Sequence, residues 1–376
     1  MSFYLSFSCC NSIENTINPV FFRVIESEVD AEVASESAGL NIIMSPTAIR
    51  LAQDGNPHLI EALKKAKSVL CYRMTPSEKA TIVNTVKKKI KGNVLAIGDG
   101  ANDVPMIQAA HVGIGIAGKE GLQAAMACDF AIARFKFLSR LLLVHGHWCY
   151  YRLSNTFLYF LYKNANAVFI VFYFQFFNGA SGTDIIDPLY GVAYPIIFTS
   201  VQPVIVGVLD QDDDDETLMN NPEKYGIGRE NQLYTWKYFF RDVADGIYQA
   251  AVIYYVTHLT LMDSNASFWE FGFYIAIGSI LVNSAHLALQ VRYWHWPIIT
   301  LFLFFIFLTF AYFFAECLIS GLTLVPDAPV WMPVYVVGNG KFWFCQIIML
   351  IVALCPRFTS QCLISSLNAT TNRKTQ

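Results

Sequence analysis

Six long apolar stretches follow one another through the last 226 residues of this 376-residue chain, and they constrain the fold more than any other feature. They run near Tyr151–Phe177, Ile185–Leu209, Tyr238–Leu259, Phe268–Leu289, Trp296–Phe314 and Phe342–Cys355. Most reach about 20 residues, enough to cross a hydrocarbon core of about 30 Å; the last needs tilt or an earlier start. A soluble helical core would need charged outer faces that these segments lack. Hydrophobic residues make up 55% of the chain and charged ones 15%. That balance excludes a disordered chain, a nucleic-acid binder and an ordinary soluble domain. A multi-pass integral membrane protein is expected.

Basic residues set the orientation. Asn178–Asp184, Met262–Ser267 and Cys317–Gly340 hold no Lys or Arg, whereas the alternate connections carry Lys224, Arg229 and Lys237, then Arg292, then Arg357, Arg373 and Lys374. Six spans then place the residues before 140, the alternate loops and the C-terminus on the cytoplasmic side. The N-terminus lacks the basic start and long apolar run of a signal peptide. The nine cysteines form no CxxC pair and have no His at metal-ligand spacing beside them, so buried apolar residues or reduced thiols are expected.

Residues 1 to about 140 mix charge with short apolar runs. Ser68–Met74, Asn93–Gly98, His111–Ile116 and Asp129–Ala133 read as strands, Ser77–Ile90 and Val104–Ala110 as helices. Pro76 suits a first helical turn, and Lys87 to Lys89 suit the negative end of a helix dipole. Strand–helix–strand alternation with short connections predicts a parallel α/β sheet.

The segment Gly98-Asp99-Gly100-Ala101-Asn102-Asp103-Val104 leaves one of those strands and opens a helix. Glycines permit a tight turn there, and amides converge where phosphate is welcome. Asp99 and Asp103 add the hard oxygen ligands that Mg²⁺ prefers, and Asn102 can donate to a phosphate oxygen. Upstream, Thr75-Pro76-Ser77-Glu78-Lys79 offers Lys79 as a compact charge for a phosphoryl group.

These two motifs resemble the third and fourth motifs of the haloacid-dehalogenase-like (HAD-like) phosphorylation domain of P-type ATPases. Leu95–Val104, Met106–Gly118, Phe135–Gly146, Tyr162-Lys163-Asn164 and Gly207–Asp212 narrow the resemblance to the phospholipid-translocating flippases. It implies an α/β part of a HAD-like parallel-sheet phosphorylation domain followed by an all-α bundle of six transmembrane helices. The implied layout is an unassigned segment at 1–40, the distal phosphorylation domain at 41–133 and a linking stalk helix at 134–150. Membrane helices at 151–355 and a cytoplasmic tail at 356–376 complete it.

By the resemblance, Asp99 and Asp103 hold Mg²⁺, Asn102 and Asp103 lie at the phosphates, Lys79 is the catalytic cation and Arg73 contributes to ATP binding. It also implies a phospholipid substrate, a two-span accessory β-subunit, no nucleic-acid partner, and a plasma-membrane, Golgi or endosomal location. No Asp-Lys-Thr-Gly-Thr loop and no actuator Asp-Gly-Glu-Thr loop occurs in these residues. The sequence is therefore expected to be the C-terminal part of a flippase, inactive alone because covalent phosphoryl transfer needs the aspartate nucleophile. A catalytically dead membrane subunit that binds a partner pump is one alternative. A fragment of a cation-transporting P-type ATPase is the other.

Lys163 falls near the middle of the first span, where a charge costs about 2.5–3.5 kcal/mol. With Asn164 it is the candidate for the lipid path; a lysine merely paired with a carbonyl is the plainer alternative. No Asp or Glu occurs between Arg152 and Phe177 or between Pro188 and Leu209, which disfavours a cation pump. Gln202-Pro203 is expected to break the second span and free carbonyls within protein. The acidic run Asp210–Glu216 is expected to be a solvated loop, and Phe302–Phe307 a lipid-facing or packing surface.

Overall fold

The computed structural model describes residues 4–8, 22–25, 41–45, 47–48, 56–89, 92–118, 122–179, 181–186, 188–318 and 332–375. Cys9 and Cys10 lie outside them, and no disulfide forms among the described cysteines. The chain divides into two compact units, Met1–Arg140 and Leu141–Gln376.

In the first unit, β1 (Tyr4–Ser8), β2 (Phe22–Ile25), β3 (Asn41–Met44) and β4 (Ser68–Tyr72) form a parallel sheet in the order β1-β4-β3-β2. A second parallel sheet joins β5 (Leu95–Gly98), β6 (Val112–Ile116) and β7 (Phe130–Ile132) in sequence order. The expected strands are present, each a residue or two shorter. They do not share one sheet, because β4 is paired on both edges, by β1 and β3, and offers β5 no free ladder.

Helix α1 (Pro57–Lys65) starts where Asn56 Oδ1 accepts from the amides of His58 and Leu59. Helix α2 (Pro76–Lys89) starts with a reciprocal cap. Glu78 Oε2 accepts from the Thr75 amide at 2.9 Å, and Thr75 Oγ1 accepts from the Glu78 amide at 3.4 Å. At the other end Lys87 Nζ donates to the Ala109 carbonyl, tying α2 to the end of α3 (Val104–Ala109). Consecutive residues of α2 face different cores. Ile82 joins Ile42, Met44, Leu59, Val69 and Cys71, whereas Val83 joins Ala96 and Met106. Burial pushes the Cys71 thiol up to about 12, so it behaves as a small apolar core residue.

The second unit is helical. A π-helical turn, Leu141–Gly146, leads into α5 (His147–Gln175) after the short α4 (Gln123–Ala127) of the first unit. Next come a turn of helix at Pro188–Ala193, a π-helical segment at Tyr194–Phe198 and α6 (Val201–Leu209). Then follow α7 (Trp236–Leu261), α8 (Phe268–Gln290), α9 (Trp296–Leu318) and α10 (Gly340–Thr375). Among the described residues five helical stretches are long and apolar enough to cross a membrane: Phe137–Gln175, Tyr190–Leu209, Phe268–Gln290, Trp296–Ala315 and Gly340–Ser366. The last begins before the expected Phe342 and continues past Cys355 through Pro356.

The break in the second span falls one to two turns earlier than Gln202-Pro203 predicts. It occupies Tyr194–Ser200, and Pro203 sits near the start of the renewed helix, where a missing amide hydrogen is tolerated. The aromatic cluster divides by face: Phe302 and Phe305 are buried, Phe304 and Phe307 exposed. Ser267 of the Asn265-Ala266-Ser267 sequon caps α8 by accepting from the Glu270 amide.

The crossing of α5 and α7 depends on Gly246, since a Cβ there would stand 2.8 Å from the Tyr162 carbonyl and 3.1 Å from Ala165 Cβ. Gly246→Val should therefore lower stability by about 1–3 kcal/mol through overpacking. Thermal unfolding of the detergent-purified protein checks this: an unchanged melting temperature would contradict the crossing.

Candidate functional site

In the first unit the backbone leaves β5 at Gly98, turns through Asp99-Gly100, and winds a 3₁₀ turn at Ala101–Asp103 before α3. A Cβ at Gly98 would overlap the Asp103 side chain, so the turn requires glycine there. The Asp103 amide donates to the Gly100 carbonyl at 3.1 Å, which folds the Asp103 carboxylate back over the turn. Its Oδ1 accepts from Lys79 Nζ at 2.8 Å, and its Oδ2 accepts from the Asp99 amide at 3.4 Å.

Lys79 comes from the first turn of α2, held by the Thr75–Glu78 cap. Two motifs separated by 24 residues thus meet in one charge-assisted bond, with both side chains about 15% exposed. The Asp99 side chain projects into solvent beside this pair, with no hydrogen-bond partner among the described residues. Asn102 is exposed on the same turn. Arg73 ends β4 in the left-handed region (φ 51°) and is exposed; no contact joins it to Lys79 or Asp103 among the described residues. An exposed carboxylate beside a folded-back one fits a hard, oxygen-seeking cation, and the turn's open amides fit phosphate oxygens.

In the second unit Lys163 is buried within the helices. Its ammonium donates to the Pro195 carbonyl at 3.2 Å, Thr199 Oγ1 at 3.2 Å and Ser200 Oγ at 2.9 Å. The π-helical segment and the turn after it make this possible, because they leave a carbonyl and two hydroxyls facing α5. Pairing with a carbonyl is thus present, but two hydroxyls accompany it. Asn164 is partly exposed and makes no bond to Lys163. Asn166, one turn on, is fully buried with neither its oxygen nor its nitrogen partnered.

The sequence reading did not single out the network beside Lys163. Tyr162 stacks on His286 with ring centroids 3.9 Å apart and donates its hydroxyl to Gln249 Oε1. Gln249 and Gln290 face the two ring nitrogens of His286 at 3.2 and 3.1 Å. Asn283 donates to the Tyr194 hydroxyl, and Ser284 donates to Gln202 Oε1. The signal was available: polar residues three or four apart on apolar helices must face one another, since hydrocarbon offers no partner.

The acidic run is not a solvated loop. Asp210 is buried, and its Oδ1 accepts from the amides of Arg292 and Tyr293 at 3.1 and 2.9 Å. Burial pushes its carboxyl above the ordinary range, against the pull of those amides. Asp212 Oδ2 lies 2.6 Å from His147 Nε2, and Asp213 pairs with Lys224 at 2.7 Å. The run thus joins the side chains of His147, Trp148 and Arg152 on α5 and the amides just after α8 to the end of α6. Another ion cluster links α10 to α7: Arg357 Nη1 donates to Asp242 at 2.9 Å and to Asp245 at 2.8 Å.

Comparison with known proteins identifies the family. The family described as phospholipid-translocating P-type ATPase C-terminal matches residues 125–370. The chain is 40% identical over 297 residues to human phospholipid-transporting ATPase VA, covering 78% of this chain and 20% of that protein. It is 39% identical to phospholipid-transporting ATPase VD of Macaca fascicularis, covering 85% of this chain and 49% of that one. With phospholipid-transporting ATPase 1 of Arabidopsis thaliana the identity is 36%, covering 90% and 29%. The chain spans a fifth to a half of the length of these relatives. It is an integral membrane protein of the phospholipid-translocating P-type ATPase family.

Proposed function

We propose that this chain supplies the Mg²⁺-binding end of a HAD-like phosphorylation domain and six C-terminal spans of a pump. That pump moves phospholipid toward the cytoplasmic leaflet at the expense of ATP. The observation that carries the reading is the meeting of Lys79, Asp99 and Asp103 on one turn in a chain of this family. Asp99 and Asp103 would hold Mg²⁺ and Lys79 would neutralise the transferred phosphoryl group, with Asn102 beside the phosphates and Arg73 toward the nucleotide. The metal would supply charge neutralisation at the phosphoryl oxygens. The phosphorylated aspartate must come from outside these 376 residues, because no Asp-Lys-Thr-Gly-Thr loop occurs in them. On this reading the phosphorylation domain takes 41–133, a stalk 134–150, the spans 151–355 and a cytoplasmic tail 356–376.

Helix α7 is the sixth span in this proposal. Lys237, Arg241, Asp242 and Asp245 crowd its start, but Gly246–Leu261 carries no Asp, Glu, Lys or Arg. Its charged end is neutralised by Arg357, and it packs against α5, α8 and α10. Lys163 and Asn164 would border the path of the phospholipid headgroup, where an ammonium attracts phosphate. The same pump would take a two-span accessory subunit and reside in the plasma, Golgi or endosomal membrane, with the first unit and the C-terminus cytoplasmic.

Two variants test the reading in a full-length pump that contains this segment. Asp99→Asn should abolish the phosphoenzyme formed from radiolabelled ATP and Mg²⁺; normal labelling would remove Asp99 from the metal site. Lys163→Met should leave phosphorylation intact while slowing headgroup-labelled lipid uptake about tenfold or more, since a hydrogen bond to a charged group contributes about 1.5–3 kcal/mol. Uptake at the parent rate would make Lys163 a packing residue only.

A further inference from the structure

The junction between α5 and the acidic run contains a cluster that the pump chemistry does not use. His147 Nε2 and carboxylate oxygens of Asp212 and Asp213 all lie within 4.8 Å of one another. The imidazole and the Asp212 carboxylate are 2% and 9% exposed. Asp212 Oδ1 is buried and has no hydrogen-bond partner among the described residues, so half of a desolvated carboxylate is unspent. Such a group costs free energy unless a donor or a cation completes it.

The backbone around the cluster is fixed on both sides. Arg152 Nε donates to the Asp210 carbonyl at 2.5 Å, and Trp148 Nε1 donates to the Asp213 carbonyl at 3.0 Å. His147, Trp148 and Arg152 all project from the first turns of α5, so one helix end positions both the imidazole and the loop that carries the carboxylates. The local charge favours a cation. Asp210–Glu216 holds six carboxylates, and among the described residues the Lys224 ammonium pairs with Asp213 while the Arg152 guanidinium donates to the Asp210 carbonyl.

We propose that His147, Asp212 and Asp213 bind one divalent transition-metal ion of the zinc class, with water as a fourth ligand. One imidazole nitrogen and two carboxylate oxygens form a three-ligand set of the kind zinc takes with an open position. Ligand atoms around such an ion stand about 3.4 Å apart at bond lengths of about 2.1 Å, within the 4.8 Å that encloses the present cluster. The nitrogen ligand selects against Mg²⁺ and Ca²⁺, which prefer oxygen. The competitor is Lys224, whose ammonium sits on Asp213 Oδ2 at 2.7 Å and must swing away as the metal enters. The bound ion would fasten the loop after α6 to the start of α5, beside the link to the phosphorylation domain.

The test uses the full chain, purified in detergent and stripped with chelator, then titrated with Co²⁺ as a visible probe and with Zn²⁺ in competition. One Co²⁺ per chain, displaced by Zn²⁺ and indifferent to excess Mg²⁺, is expected. Asp213→Asn should weaken uptake at least tenfold. Lys224→Gln should tighten it severalfold by removing the competing ammonium. Both residues are about one-third exposed, so these variants spare the buried His147–Asp212 pair. Absence of Co²⁺ uptake by the folded chain, uptake unaffected by Asp213→Asn, or uptake that Lys224→Gln fails to strengthen would each overturn the proposal.

Discussion

A charged nitrogen inside a bilayer has no water to solvate it, so the protein must build its hydration shell from its own oxygens. Lys163 imposes that demand on the second unit, and the Pro195 carbonyl of the π-helical segment with the hydroxyls of Thr199 and Ser200 in the turn after it meet the demand. A regular α-helix would have spent the Pro195 carbonyl on its own ladder. The irregular segment turns Tyr194, Phe198 and Thr199 inward, where they are buried, while Ile196 and Ile197 stay exposed. Tyr162, Gln249 and His286 then hold the neighbouring turn of α5 in place. Stability and the proposed lipid path therefore draw on the same side chains.

The charged ends of the helices follow a related rule at lower cost. Arg357 with Asp242 and Asp245, and Asp210 with the amides after α8, join helix ends distant in sequence. Removing one member of a buried charge pair leaves the other uncompensated, which is far more destabilising than the net value of the pair. These contacts fix which ends lie together.

Much of this was legible in the residues. The apolar runs announced five of the six expected membrane helices, the Tyr238–Leu259 run being helical but outside the stretches long and apolar enough to cross, and Pro76 and the Gly-Asp-Gly turn announced the start of α2 and the end of β5. The resemblance singled out Lys79 and Asp103 separately; the bond between them appears only in the structure. What could not be read was anything set by contacts between distant segments. β1, β2 and β3 are four- or five-residue strands without a periodic signal; β4 pairs with β1 and β3, and β3 with β2. Pro203 marked a break correctly in kind but not in place, because Lys163 determines which carbonyls are left free. The acidic run looked solvated because composition cannot show that Arg292, Tyr293, His147 and Lys224 fold back onto it.

Helix α2 carries one more implication. Ile82 is embedded in one core and Val83 in the other, while Lys79, a turn earlier, holds Asp103 of the turn after β5. The helix is thus an axle common to both sheets of the first unit. Any rotation of one sheet against the other must turn the helix, and turning the helix swings the lysine across the aspartates. Motion between the sheets and the charge presented at the loop are consequently a single mechanical coordinate.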